Sequence, residues 1–190
     1  ARTLRIGYQK SAANLVIVKE SRWLEQRLPG TRVSWIEFPA GPQLLEALSV
    51  GALEFGLTGD SPPVFAQAAG KDLLYVGAEP PKPDSSALLV LDDSPLKTLP
   101  DLKGRKIAVQ KGSSAHYLLV RAVDKAGLQW NDIQPIYLPP ADARAAFERL
   151  LQVLLRGAER LFGVGEVAIL QLQRHRPHQL GDLAELVVGA

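Results

Sequence analysis

The chain has 190 residues, 46% of them hydrophobic and 22% charged, with a net charge of +2, a make-up that suits one ordinary globular domain or two small ones. So mild a charge gives no ground for a nucleic-acid partner, and no run approaches the roughly 18 apolar residues of a membrane helix. With no cysteine in the chain, disulfides and thiolate metal sites are excluded.

The sequence opens on Ala1 and enters a strand almost at once, which fits a mature chain freed of its signal peptide, or a trimmed one. Leu4 to Tyr8 alternates apolar with small or polar residues and reads as a first strand. Residues 13–28 follow, with Leu15, Val16, Val18, Trp23, Leu24 and Leu28 at spacings that predict one half-buried helix. Pro29-Gly30 ends it. Val33 to Phe38 is rich in β-formers, 42–50 carries Leu44, Leu45 and Leu48 at helical spacing, Glu54 to Thr58 is the next strand, and 62–69 the next helix. Leu73 to Gly77 predicts a fourth strand. Strand and helix in alternation imply a parallel sheet, and ligands of such sheets lie at the carboxyl ends of the strands. The loops 9–12, 39–42 and 58–61 should therefore gather on one edge.

Three prolines fall within Pro80-Pro81-Lys82-Pro83, a stiff extended crossing. A second α/β set follows. Ser86 to Leu91 reads as a strand, Asp92 to Leu102 as loop with a short turn, and Lys106 to Gln110 as a strand. Gly112-Ser113-Ser114 opens a helix to about Ala126, Ile133 to Leu138 is a strand, and Pro139-Pro140-Ala141-Asp142 opens another helix. Phe147, Leu150, Leu151, Leu154, Leu155, Ala158 and Leu161 then form one helical stripe, so this helix can run on. Val167 to Leu172 predicts a strand, and Leu183 to Val188 a short helix or strand.

Two strand-to-helix turns are suited to an anion. In Gly56-Leu57-Thr58-Gly59-Asp60-Ser61-Pro62, the glycines free the backbone, Ser61 is placed to cap the helix, and Pro62 suits a first-turn position. Helix N-terminal N–H groups then face the crevice. Gln110-Lys111-Gly112-Ser113-Ser114-Ala115-His116 repeats the logic. Taken singly, each such turn is more often a plain capping device. Asp60 opposes a highly charged anion, so it either holds loop N–H groups or meets a polar part of a ligand. The Gly-x-x-x-x-Gly-Lys-Ser/Thr phosphate loop is absent. His175 and His178 are spaced as a metal pair, but the neighbouring Arg174 and Arg176 disfavour a cation. No nucleophile, base and orienting group can be assembled, so no enzyme is expected.

Several of these segments resemble one family. They are Leu4 to Lys10, Trp35 to Gln43, Thr58 to Gly70, Tyr75 to Pro83, Asp101 to Gly104, Gln110 to His116 and Leu138 to Phe147. Together they resemble the aliphatic sulfonate-binding proteins of bacterial ABC importers. The resemblance implies an α/β, type II periplasmic binding protein with two lobes joined by a hinge. The first lobe would be 1–84, the second, partial, 85–149, with an unrecognised tail of helix plus short strand at 150–190. It implies an alkanesulfonate held between the lobes and passed to a membrane permease for sulfur supply, in the periplasm, with no cofactor and no metal. A sulfonate is singly negative with three acceptor oxygens, and helix N-termini and hydroxyls suit it. The ligand positions implied are Gln9, Gly41, Pro42, Thr58, Gly59 and Asp60 from the first lobe, with Ser113, Ser114, His116 and Asp142 from the second.

The resemblance stops near Arg149. There the family continues Gly-x-Val-Asp-Ala-Trp-x-x-Trp-Asp-Pro, while this chain reads Leu150-Leu151-Gln152-Val153-Leu154-Leu155-Arg156-Gly157. The break favours a frameshift, a deletion or a misread segment over a tail that patches the second lobe. Two alternatives stand beside sulfonate capture. One is a folded remnant with impaired binding, and the other a related receptor for nitrate, taurine or a thiamine precursor.

Overall fold

The computed structural model describes residues 2–81, 85–91, 94–155, 167–172 and 186–187, with side chains as far as Arg149. The chain divides into two units. One is Ala1–Pro81 together with Gly112–Ser114, and the other is made of Lys82–Lys111 and Ala115–Gly189.

The first unit is built on a parallel sheet in the order β2, β1, β3. Strand β1 (Arg2–Tyr8) takes β2 (Thr31–Glu37) along its whole length, from Arg2 opposite Thr31 to Tyr8 opposite Glu37. On its other side lies β3 (Phe55–Gly56), only two residues long, with Gly7 opposite Gly56. Helices α3 (Gly41–Ser49) and α4 (Ser61–Ala68) follow β2 and β3. Leu44, Leu45 and Leu53 form the buried core here, with Ile36, Phe38, Leu48 and Leu73 against them.

Two expectations fail in this unit. The single helix over 13–28 is two, α1 (Ala13–Glu20) and α2 (Trp23–Arg27). Arg22 between them holds φ at +53°, left-handed backbone that an uninterrupted helix does not contain. The fourth strand at 73–77 does not form. It joins no ladder, β3 beside it being only two residues long, and Leu74, Tyr75 and Val76 are 87%, 58% and 69% exposed. An apolar β-rich run is a strand only when a neighbour supplies its hydrogen bonds.

The second unit holds β4 (Ser86–Leu89), β5 (Lys106–Val109), β6 (Gln134–Tyr137), β7 (Val167–Leu172) and β8 (Leu186–Val187). The order is β4, β7, β5, β6, with β8 on β7. Strands β6 and β7 run parallel to β5, while β4 and β8 run antiparallel to β7. Alternation along β5 sends Ile107 and Val109 into a core with Leu119 and Val123 of α5 (Ser114–Lys125). Ala108 faces the other way, beside Ala143 and Phe147 of α6 (Pro140–Leu155). A 3-10 turn at Leu99–Leu102 is closed by a capping box, in which the Thr98 hydroxyl and the Asp101 carboxylate serve each other's backbone N–H groups. The expected continuation of the stripe beyond Leu155, to Ala158 and Leu161, lies outside the described residues.

Candidate anion seat and its surroundings

The seat begins with a glycine pair. Gly7 and Gly56 face each other across β1 and β3, and both leave room for Leu44 of α3. A Cβ on Gly7 would stand 3.0 Å from Leu44 Cγ, and one on Gly56 would stand 2.6 Å from Leu44 Cδ2. Leu44 is fully buried over them. The missing side chains let α3 lie close on the sheet, and that sets the position of its N-terminus.

That N-terminus meets the start of α4. A Cβ on Gly41 would run into the Thr58 hydroxyl and stand 2.7 Å from Cγ and 2.9 Å from Cβ of Pro62. Neither helix is capped by a side chain. Ala40 is the N-cap of α3 and Asp60 that of α4, and neither makes a side-chain cap hydrogen bond. Ser61, expected to cap α4, is instead its first residue, and its hydroxyl donates to Asp60 Oδ1 at 2.9 Å. The carboxylate, an acceptor, captures the hydroxyl that would otherwise turn back on the helix. Pro42, Pro62 and Pro63 carry no N–H. The N-cap and first-turn donors that lack an intrahelical partner are therefore those of Ala40, Gly41 and Gln43 on α3, and of Asp60 and Ser61 on α4. Two short groups of donors converge, each at the positive end of a helix.

Gln9 follows β1 directly and is only 2% exposed. Its Nε2 donates to the carbonyl of Leu57 at 3.3 Å, while its Oε1 is buried without a partner. Thr58 Oγ1 is likewise buried and unpartnered. Buried polar atoms are nearly always satisfied, and here two that are not lie on residues linked by Leu57, which accepts from Gln9 and directly precedes Thr58. Of the expected first-lobe positions, Gln9, Gly41 and Thr58 are brought together through Leu57 and Pro62. Pro42 stands in the first turn of α3, Gly59 links Thr58 to Asp60, and Asp60 is exposed.

The second strand-to-helix turn has Gly112 at φ +77°, left-handed backbone that favours glycine. Ser113 is fully buried, and Ser114, which opens α5, has a buried Oγ without a partner. His116, in the first turn of α5, lies edge-on to Trp130 at 5.4 Å and to Tyr137 at 5.7 Å between ring centroids. Burial lowers its pKa below the ordinary 6.5, and the Lys111 charge lowers it further, so the ring is a neutral donor-acceptor at pH 7. The Lys111 ammonium stands 5.5 Å over the Tyr137 ring. Trp130 and Tyr137 escape sequence reasoning, because one sits in a 3-10 turn and the other ends a strand. Only the fold sets them beside His116. Asp142 is exposed in the first turn of α6, where a carboxylate complements the helix dipole with or without a ligand. Among the described residues no group of three His, Asp or Glu could hold a metal ion, and no helix is long and apolar enough to cross a membrane. His175 and His178 lie outside the described residues.

A protein of Escherichia coli (strain K12), provisionally named an aliphatic sulfonates-binding protein, is 61% identical over 146 residues, covering 77% of this chain and 46% of that protein. The crystal structure of the periplasmic aliphatic sulphonate binding protein SsuA from Escherichia coli superposes with a TM-score of 0.70 at 52% identity, over 90% of this chain and 54% of that one. The alkanesulfonate-binding protein SsuA from Xanthomonas axonopodis pv. citri, bound to MOPS, gives a TM-score of 0.75 at 52% identity, over 87% and 61%. The fold is thus that of the SsuA-type periplasmic binding proteins, and the chain spans about half the length of the curated relatives it matches. Residues 30–159 match the NMT1/THI5-like family, and the chain belongs to it.

Proposed function

We propose that the protein is a ligand-binding component of a bacterial ABC importer, capturing an alkanesulfonate in the periplasm for delivery to a membrane permease. The observation that carries this is the meeting of two uncapped helix N-termini at Gly41 and Pro62, beside the buried, unpartnered Gln9 and Thr58 atoms. A sulfonate has one spread negative charge and three acceptor oxygens. It needs donors in several directions and no counter-cation, and backbone N–H groups at helix starts meet that need. The names of the relatives point to the same ligand class. In this reading Gln9, Gly41, Pro42, Thr58, Gly59 and Asp60 form the headgroup seat. Ser113, Ser114, His116 and Asp142 are proposed as further ligand positions, and the two α/β units as the two lobes of the receptor. Binding without chemistry is the whole activity.

Calorimetric titration of the chain with ethanesulfonate, nitrate and sulfate tests the proposal. Saturable heat with ethanesulfonate, and intact sulfonate recovered afterwards, is the expected result. Heat with nitrate or sulfate alone would reassign the seat to inorganic anions. No heat with any sulfonate would end the reading.

A further inference from the structure

We infer that the apolar run from Leu73 to Ala78 pairs with the same run of a second copy of this chain, antiparallel about Tyr75, to form a closed twofold dimer. The inference is independent of the ligand.

Leu73-Leu74-Tyr75-Val76-Gly77-Ala78 contains no charge and no proline, and Tyr75 and Val76 favour strands. Residues 71–81 contain no turn and no bend, so the chain passes straight through them. Among the described residues the backbone of 73–78 joins no ladder and bonds to no other backbone group. Such a row of N–H and C=O groups is a template for another strand, and proteins guard it with lysine or proline. Neither lies between Asp72 and Glu79. The run is also held in place from one side. Tyr75 donates its hydroxyl to Gln67 Oε1 of α4 at 2.9 Å, and Leu73 packs against the Leu44 core. Alternation turns Leu74 and Val76 the other way, and they are 87% and 69% exposed.

The charges at the two ends select a second copy as the occupant. An antiparallel pair centred on Tyr75 sets Leu74 opposite Val76, Leu73 opposite Gly77 and Lys71 opposite Glu79, each twice. Opposite charges across a pair of strands are favourable. The in-register parallel pair would instead set Lys71 on Lys71 and Glu79 on Glu79. Both groups can take a further partner. Lys71 lies 3.5 Å from Glu46, donates to Ser49 at 3.2 Å and is 37% exposed. Glu79 accepts from Asn14. An ammonium has three donors, and a carboxylate has about four acceptor sites.

Sedimentation velocity of the whole chain over about a hundredfold range of concentration tests this. The mass should rise from 20.6 kDa toward twice that value and stop there. Leu74→Lys, at a position too exposed to disturb the fold, should raise the dimer dissociation constant at least about tenfold. Glu79→Lys sets like charges opposite at both ends and should weaken the dimer likewise. Combining it with Lys71→Glu should restore the dimer to within about threefold of wild type. If the charge variants do not fold by circular dichroism, Leu74→Lys carries the test. One chain's mass at every concentration would overturn the inference, whichever other chain covers the run. So would growth beyond two chains, or a dimer indifferent to Leu74→Lys. A dimer weakened by Glu79→Lys and not recovered in the double variant would overturn the antiparallel register on which the inference depends.

Discussion

At Gly41 the space a side chain would need is already filled. The obstacle includes a prolyl ring, whose Cγ and Cβ would lie 2.7 and 2.9 Å from an added Cβ, and a ring cannot swing aside as a lysine tip can. Gly41→Ala should therefore push the starts of α3 and α4 apart, costing about 1–3 kcal/mol as overpacking does. It should weaken ethanesulfonate binding at least about tenfold, since misdirected N–H donors lose their charge-assisted bonds. Paired urea melts and titrations check both. That Gly41 and Pro42 open a helix is legible in the sequence, because the residues themselves carry the signal. That Gly41 must stay bare is not, since its obstacles, Thr58 and Pro62, come from another strand and helix. The same limit applies to Gln9, whose polar nature is visible in sequence while its orientation belongs to Leu57.

Elements in the first unit are tied by a charged clamp across β1 and the approach to β3. The Arg5 guanidinium holds the Glu54 carboxylate, and Arg5 donates its own backbone N–H at 2.6 Å to the same group. It also reaches the Gly51 carbonyl at 2.9 Å. The Arg5 side-chain hydrogen bond, followed by its backbone bond, lowers the Glu54 pKa from 4.5 to about 2. A carboxyl depressed in the folded state binds its proton more readily when unfolded. Its stabilisation is thus present above 4.5 and is lost as pH falls through to about 2. Glu54→Gln should flatten that part of the stability profile, read as urea midpoints at pH 7, 4 and 2.5. Added salt should shrink the wild-type slope, because the pair is partly exposed. Nothing in the sequence pairs Arg5 with Glu54. Strand register does so, and register also decides why 73–77 remains unpaired although its composition is that of a strand.

Among the described residues, the main core of each unit shares no residue with the other. One is centred on Leu44, and the other on Ile107, Val109 and Leu119. Leu44→Ala and Ile107→Ala should each cost about 2–5 kcal/mol, and together the sum of the two to within about 0.5 kcal/mol. Urea denaturation followed by circular dichroism gives the three values. A shortfall in the sum would show the cores to be coupled. The two α/β sets were legible because alternation and helical spacing are local signals. The seat of β7 between β4 and β5 was not, because the pattern over 167–172 proposes a strand without naming its neighbours.

The prolines at the two helix starts have a spectroscopic consequence. Pro42, Pro62 and Pro63 have no amide proton, so the first turns of α3 and α4 are thinly represented in an amide correlation spectrum. The helix-start reporters left there are Ala40, Gly41, Gln43, Asp60 and Ser61. A guest that draws hydrogen bonds from these groups moves up to five resonances, three from α3 and two from α4. Their shifts, followed together, register the arrival of a headgroup separately at α3 and at α4.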